Sequence, residues 1–245
     1  MVVPVSRIGA GLWHALEDDL VVGRGEVLSR ADGRMFVSID AWHGAAFGRL
    51  AEVMLAVLPR PLHTVVAEDD ADLAGWWRQA GFRARRREWE FVVPTDPQVT
   101  GLGSVVVPPG VSVKGFGTAV EGPLRELDGV VRGEVSWPDM PAEVLVRPVW
   151  DVSKFAVAAA GDGYVGLLRV AMVTRRPRIG LVAVRSSHRR RGVARALLAH
   201  TLGALHVVGK ESVAAEVVES NVAATALLEG AGGRRSGSNL ELVVG

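Results

Sequence analysis

One order of elements occurs twice along this 245-residue chain, and that internal repeat constrains the fold more than any other feature. In the second occurrence, Phe155–Ala160 and Tyr164–Val170 flank a Gly-Asp-Gly turn, which predicts a β-hairpin with the glycines supplying positive φ. Arg178–Val184 (RIGLVAV) is a short apolar run suited to a buried strand. Leu197, Leu198, Thr201, Leu202 and Leu205 fall at helical spacing and predict a helix over Val193–Leu205. Ser212–Val218 predicts the next strand. Asn221 then caps a helix with Ala224, Leu227, Leu228 and Ala231 on one face, and Leu240–Val244 predicts a last strand. The first occurrence is a fainter copy. Val21–Leu28 and Arg34–Ile39 flank an Asp32-Gly33 turn, and a short helix over Arg49–Val57 is stopped by Pro59 and Pro61. His63–Ala67 predicts a strand, Asp70–Ala80 a helix and Phe82–Val93 a strand. Strands alternating with helices predict an α/β fold.

The division between the copies is expected at Pro94–Gly110, which holds four of the twelve prolines and three glycines. Read as a linker, it leaves a first domain over 1–93 and a second over 111–245. The absence of cysteine excludes disulfides, zinc–thiolate sites, iron–sulfur clusters and any acyl-cysteine intermediate. No stretch approaches eighteen uninterrupted apolar residues, and Met1–Trp13 lacks the pattern of a signal peptide. A cytoplasmic protein with no membrane partner is therefore expected.

Chemistry concentrates in Val182–Leu198 (VAVRSSHRRRGVARALL), where a buried strand runs through a basic loop into an amphipathic helix. Unpaired backbone N–H groups at a helix N-terminus make an anion site. Gly192 lets the backbone approach an anion closely, and Ala194 keeps the next position small. Between Arg175 and Arg195 stand eight arginines and no acidic residue, so the net charge of +1 averages over a concentrated basic patch. A phosphate-rich ligand is the natural partner. Nucleic acid is not expected, because the overall charge is near zero and no aromatic residues interleave with the arginines.

The run Arg189-Arg190-Arg191-Gly192-Val193-Ala194 resembles the (Gln/Arg)-x-x-Gly-x-(Gly/Ala) signature of the GNAT superfamily of N-acetyltransferases. Downstream, Asn221, Ala224, Leu227, Leu228 and Gly232-Gly233 resemble its second signature, Asn-x-x-Ala-x-x-Leu-Tyr-x-x-x-Gly-Phe. The resemblance implies two GNAT-like units, each a mixed, mostly antiparallel twisted sheet flanked by helices, the first degenerate and truncated. It implies acetyl-CoA or another acyl-CoA as donor, with no metal. The amides around Arg191, Gly192, Val193 and Ala194 would hold the pyrophosphate. Arg189, Arg190 and Arg195 would contact phosphates, and Asn221 would cap its helix beside the pantetheine. Backbone groups of Val182, Ala183 and Val184 would pair with the pantetheine arm, one amide polarising the thioester carbonyl. The acceptor would be a small-molecule or peptide amine. In the first copy, Trp76-Trp77 to Gly81-Phe82 resembles the end of the second signature. The phosphate loop there is reduced to His43-Gly-Ala-Ala46-Phe-Gly48, without arginine.

Two departures bear on catalysis. Leu228 stands where many relatives carry the tyrosine that protonates the leaving thiolate, and the only tyrosine, Tyr164, is the candidate to replace it. The strand Ile179–Val184 carries no glutamate, so Glu219, beyond the next strand, is the candidate base, with Glu216 and His188 weaker ones; Asp139, in the segment Trp137–Pro141, is expected in an acceptor-binding loop. Three readings stay open: direct acyl transfer to an amine in a ternary complex, an acyl-CoA-binding protein with weak or no chemistry, and acetylation of a small-molecule amine in a tandem layout similar to that of mycothiol synthase. The oligomeric state is not readable from the sequence.

Overall fold

The computed structural model describes residues 3–30, 33–134, 151–172 and 176–245. The chain divides into two compact units, Met1–Glu88 with Gly237–Gly245, and Trp89–Ser236.

In the first unit, β1 (Val5–Gly9), β2 (Leu12–Glu17), β3 (Leu20–Ser29) and β4 (Met35–Ala41) form an antiparallel run joined by short turns. Helix α1 (Gly44–Val57) then crosses to β5 (Leu62–Ala67), which is parallel to β4, and α2 (Ala71–Gln79) leads into β6 (Arg83–Pro94). Helix α1 starts five residues earlier than expected because His43 caps it, which the two helix-weakening glycines at 44 and 48 conceal in the sequence. β1 and β2 have no counterpart in the sequence-based expectation.

One core fills this unit. Phe47, Leu50, Ala51 and Met54 of α1 pack on Trp13, Ala15, Val37, Leu62 and Val66. Each fully buried large side chain contributes about 1.5–3 kcal/mol. Trp77 meets Phe47 and Phe82 edge-on at 4.9 and 4.6 Å. Only one sheet face is covered by helices, so β2 alternates between Trp13 and Ala15 inside and their neighbours outside.

The second unit begins within β6 and continues through α3 (Pro97–Thr100), β7 (Val111–Lys114) and α4 (Glu121–Gly133). β8 (Phe155–Ala160), β9 (Gly163–Ala171), β10 (Arg178–Val184), α5 (Val193–Val207), β11 (Ser212–Val218), α6 (Val222–Glu229) and β12 (Arg234–Val244) follow. β7 to β10 pair antiparallel in chain order, and β10 lies parallel to β11. Both sheet faces are covered here. Leu197, Leu198 and Leu202 of α5 pack on Ala156, Ala158 and Leu168, while Leu124, Leu127 and Val131 of α4 pack on Phe155, Val157 and Leu167. Phe155 to Ala158 are accordingly all buried, without alternation. Gly166 on β9 admits α5 at close range, since a Cβ there would lie 3.0 Å from Leu197 and 3.1 Å from Val193.

The proline-rich run Pro94–Gly110 does not act as a bare linker. It holds α3, and Thr100 and Leu102 are buried within the second unit. The last strand also departs from expectation. Residues 239–244 of β12 pair antiparallel with β5, and Leu240, Leu242 and Val244 enter the first core. In exchange, β6 neighbours β11 in the second unit's sheet. Each copy thus completes its sheet with the strand that follows the other copy. A strand's partner depends on contacts remote in sequence, so the repeat alone does not reveal it. Among the described residues, no helix is long and apolar enough to cross a membrane.

The helix-free face of the first unit carries charge in place of a second apolar core. Alternation along β12 turns Glu241 away from Leu240 and Leu242, and its carboxylate is fully buried. Oε1 accepts from Arg34 (3.1 Å), Arg85 (3.0 Å) and the His63 Nδ1–H (2.9 Å), and Oε2 faces Arg86 Nε at 2.7 Å. Burial holds the His63 imidazole below its ordinary value despite the pull of Glu241, so the ring is neutral at pH 7. Removing one partner of a buried charge cluster strands the others. Glu241→Gln is therefore expected to destabilise the first unit by about 3–5 kcal/mol in urea unfolding.

A second, more exposed pair gives a pH signature. Glu68 accepts a two-pronged bond from Arg87 (2.7 and 2.6 Å) and one from Ser238 (2.7 Å). The Arg87 and Ser238 bonds lower its carboxyl from 4.5 to about 2. A depressed folded-state value stabilises above the unfolded value and loses that contribution as pH falls. Thermal stability should thus decline from about pH 4.5 towards pH 2, by less than the full shift because Glu68 is about one-third exposed, and Glu68→Gln should flatten the decline.

Candidate functional site

The second unit opens a gap between two parallel strands. β10 and β11 are in register only at Arg178↔Ala214 and Ile179↔Ala215. Beyond that point β10 continues along β9 alone, after a bulge between Ile179 and Leu181. The Arg185 N–H donates to Val165 O at 2.9 Å, so alternation along the ladder turns the backbone groups of Ala183 towards β9. The backbone groups of Val182 and Val184 face the other way, towards the gap. An extended ligand finds a row of strand-edge groups there, of which Val184 O already accepts from Arg189 Nε at 2.9 Å.

Past the strand, a single 3-10 turn (Ser186–His188) leads to Arg190 with φ 61° and Gly192 with φ 85°. Successive backbone N–H groups in such a turn form a concave anion cradle. Gly192 is the N-cap of α5 and supplies no side-chain cap, and the first turn holds no acidic residue. The N–H groups of Val193, Ala194 and Arg195 have no acceptor within the helix, and they sit at its positive end. Val193 itself is buried and seats the helix on the sheet. A Cβ at Gly192 would meet only Pro108, at 3.7 Å, so the glycine is required by its backbone conformation rather than by space.

The arginines of the basic patch do not act alike. Arg178 pairs with Glu216, Arg185 with Glu126 at 3.1 Å, and Arg189 with Glu134 at 2.5 Å. Arg190, Arg191 and Arg195 are exposed around the start of α5. Arg175 lies outside the described residues. The patch that looks uniform in sequence therefore reduces to a few cations beside the helix end, with others held by carboxylates.

The remaining candidates separate. Asn221 caps α6, accepting from the Ala224 N–H at 3.0 Å, as Asp70 caps α2 through the Leu73 N–H at 3.0 Å. Glu219 is exposed just past the end of β11. Leu228 is buried in the core. Tyr164 is also buried, and its phenol oxygen accepts the Val120 N–H at 2.9 Å, securing the start of α4. His188 Nδ1 lies 2.9 Å from Ser187 Oγ. Asp139 and the segment Trp137–Pro141 lie outside the described residues. Helix α4 and its carboxylates Glu126 and Glu134 went unread, because their partners lie more than fifty residues downstream.

The first unit repeats the geometry without the cradle. β4 and β5 also pair at only two positions, Met35↔Leu62 and Phe36↔His63. Here, however, the helix end is filled from within. His43 Nδ1 accepts the Ala46 N–H at 3.2 Å, and its Nε2 pairs with Glu17 at 3.2 Å. Among the described residues, no group of three or more His, Asp or Glu side chains is placed to hold a metal.

In sequence, residues 130–232 match the model of the acetyltransferase (GNAT) family. No curated protein matches the chain. The fold is similar to that of a GCN5-related N-acetyltransferase from Sphaerobacter thermophilus, with TM-score 0.72 and 18% identity over 98% of this chain and 82% of that one. It is also similar to a tandem GNAT protein from the clavulanic acid biosynthesis pathway, with TM-score 0.70 and 14% identity over 99% and 83%. A GCN5-related N-acetyltransferase from Kribbella flavida aligns with TM-score 0.60 and 16% identity over 96% and 88%.

The positive φ at position 192 gives a direct check on the cradle. Gly192→Ala is expected to lower stability by about 1 kcal/mol in chemical denaturation.

Proposed function

We propose that this chain, whose residues 130–232 match the model of the acetyltransferase (GNAT) family, transfers an acyl group from acetyl-CoA or another acyl-CoA to an amine. The donor is held in the second unit. The observation that carries this reading is the contrast between two helix ends: α5 begins on an uncapped glycine cradle, and α1 is closed by His43 and Glu17. A pyrophosphate fits the first; at the second the His43 ring occupies the Ala46 N–H and the Glu17 carboxylate stands beside it, which opposes an anion.

In this reading the amides of Arg191 to Ala194 bind the pyrophosphate, and Arg190, Arg191 and Arg195 supply the neutralising charge. The pantetheine arm pairs with the gap-facing groups of Val182 and Val184, and one amide there polarises the thioester carbonyl. An amine then attacks that carbonyl directly, forming the C–N bond. The C–S bond breaks and its electron pair leaves on the CoA sulfur. Glu219, directly or through water, takes the proton lost by the amine. Leu228 carries no proton to give and Tyr164 is buried against the start of α4, so in this reading the departing thiolate takes its proton from solvent. That missing acid favours the second reading, an acyl-CoA-binding protein of low turnover. In this reading the first unit is a degenerate GNAT-like unit that binds no donor of its own.

Thiol release from acetyl-CoA across a panel of primary amines tests the proposal. Amine-dependent CoA release is expected, and Glu219→Gln should lower kcat by about 10²-fold without weakening CoA binding. CoA binding with no turnover on any amine would leave the second reading in its place.

A further inference from the structure

We infer that Glu134, at the C-terminal end of α4, is a positioning residue that anchors the anion-binding loop between β10 and α5. The inference rests on the donor reading above and extends it to a residue outside both sequence signatures. Glu134 follows the last turn of α4, its own N–H bonded back to Val130 and Val131, so its backbone is fixed by the helix. Its carboxylate is about four-fifths buried and receives three donors from the loop. The Ser186 N–H lies 2.9 Å from Oε2 and 3.2 Å from Oε1, the Ser186 hydroxyl 2.9 Å from Oε1, and Arg189 NH2 2.5 Å from Oε2. Arg189 in turn donates through Nε to Val184 O. One carboxylate therefore fixes both the first residue of the 3-10 turn and the residue just before the left-handed Arg190.

This arrangement gives Arg189 a task other than phosphate contact. Its guanidinium is divided between Glu134 and the end of β10, and its charge is neutralised where it stands. Glu134 acts through it on the orientation of the Arg190–Gly192 backbone, where the left-handed Arg190 is costly to hold without external support.

The sign of the effect separates anchoring from simple electrostatics. A carboxylate close to a phosphate site repels the ligand, so removing its charge should tighten CoA binding if position is unimportant. Anchoring predicts the reverse. In Glu134→Gln, the dissociation constant for CoA measured by calorimetry is expected to rise about tenfold, with the melting temperature little changed. Hydrogen exchange at the Ser186–Gly192 amides is expected to accelerate, beginning with Ser186. Arg189→Lys, which keeps the charge and loses the two-directional fork, should weaken CoA binding in the same way. Unchanged or tighter CoA binding by Glu134→Gln, with unchanged exchange, would overturn the inference. If the unaltered protein binds no CoA and Glu134→Gln still frees the loop amides, the anchor stands and the donor reading falls.

Discussion

Two residue pairs hold β10 to β11, and the open site of the second unit depends on the shortness of that contact. A longer parallel ladder would satisfy the edge of β10 and close the sheet. Because pairing stops at Ile179 and the bulge beside it turns the strand, the groups of Val182 and Val184 are left facing a gap whose far end is the bare N-terminus of α5. Apart from Val184 O, which Arg189 holds, the strand edge is unsatisfied, as is the helix end, and both point to the same space. A ligand with an extended amide-bearing arm and an anionic end meets both needs at once.

The two copies show how differently one topology can be covered. In the second unit, α4 and α5 bury both faces of the sheet, and β8 between them is apolar throughout. In the first, β1 turns directly into β2 where the second unit inserts α4 between β7 and β8. The face left without a helix is occupied by arginines gathered on Glu241, with His63 stacked 5.2 Å from Phe36. Charge placed there is specific in geometry but contributes less than an apolar layer of the same volume.

Much of this was legible in the sequence wherever the signal was local. The hairpin through Gly161–Gly163, the strand Arg178–Val184 and the helix from Val193 follow from periodicity and turn residues, and the cap at Asn221 from a single side chain. Long-range pairing was not legible. Nothing in Leu240–Val244 announces that it will lie against β5, since the same alternation suits either sheet. The arginine-rich run likewise conceals its own division of labour. Only the carboxylates of α4, themselves weakly signalled behind Gly122 and Pro123, show that Arg185 and Arg189 are engaged. The contact between Tyr164 and the start of α4 was not legible either, because Val120 lies 44 residues upstream.

The exchange of last strands also sets an order in time. The second unit is drawn from one continuous stretch, and the first is drawn from both sides of it. During synthesis the strands and helices of the first unit leave the ribosome early, yet β5 must wait for residues 239–244 until the whole second unit has emerged. Until then β5 presents an open edge, the kind of surface that recruits other chains. The unit that reaches its final form last is therefore the one made first, and its exposed interval on the ribosome is set by the length of its neighbour.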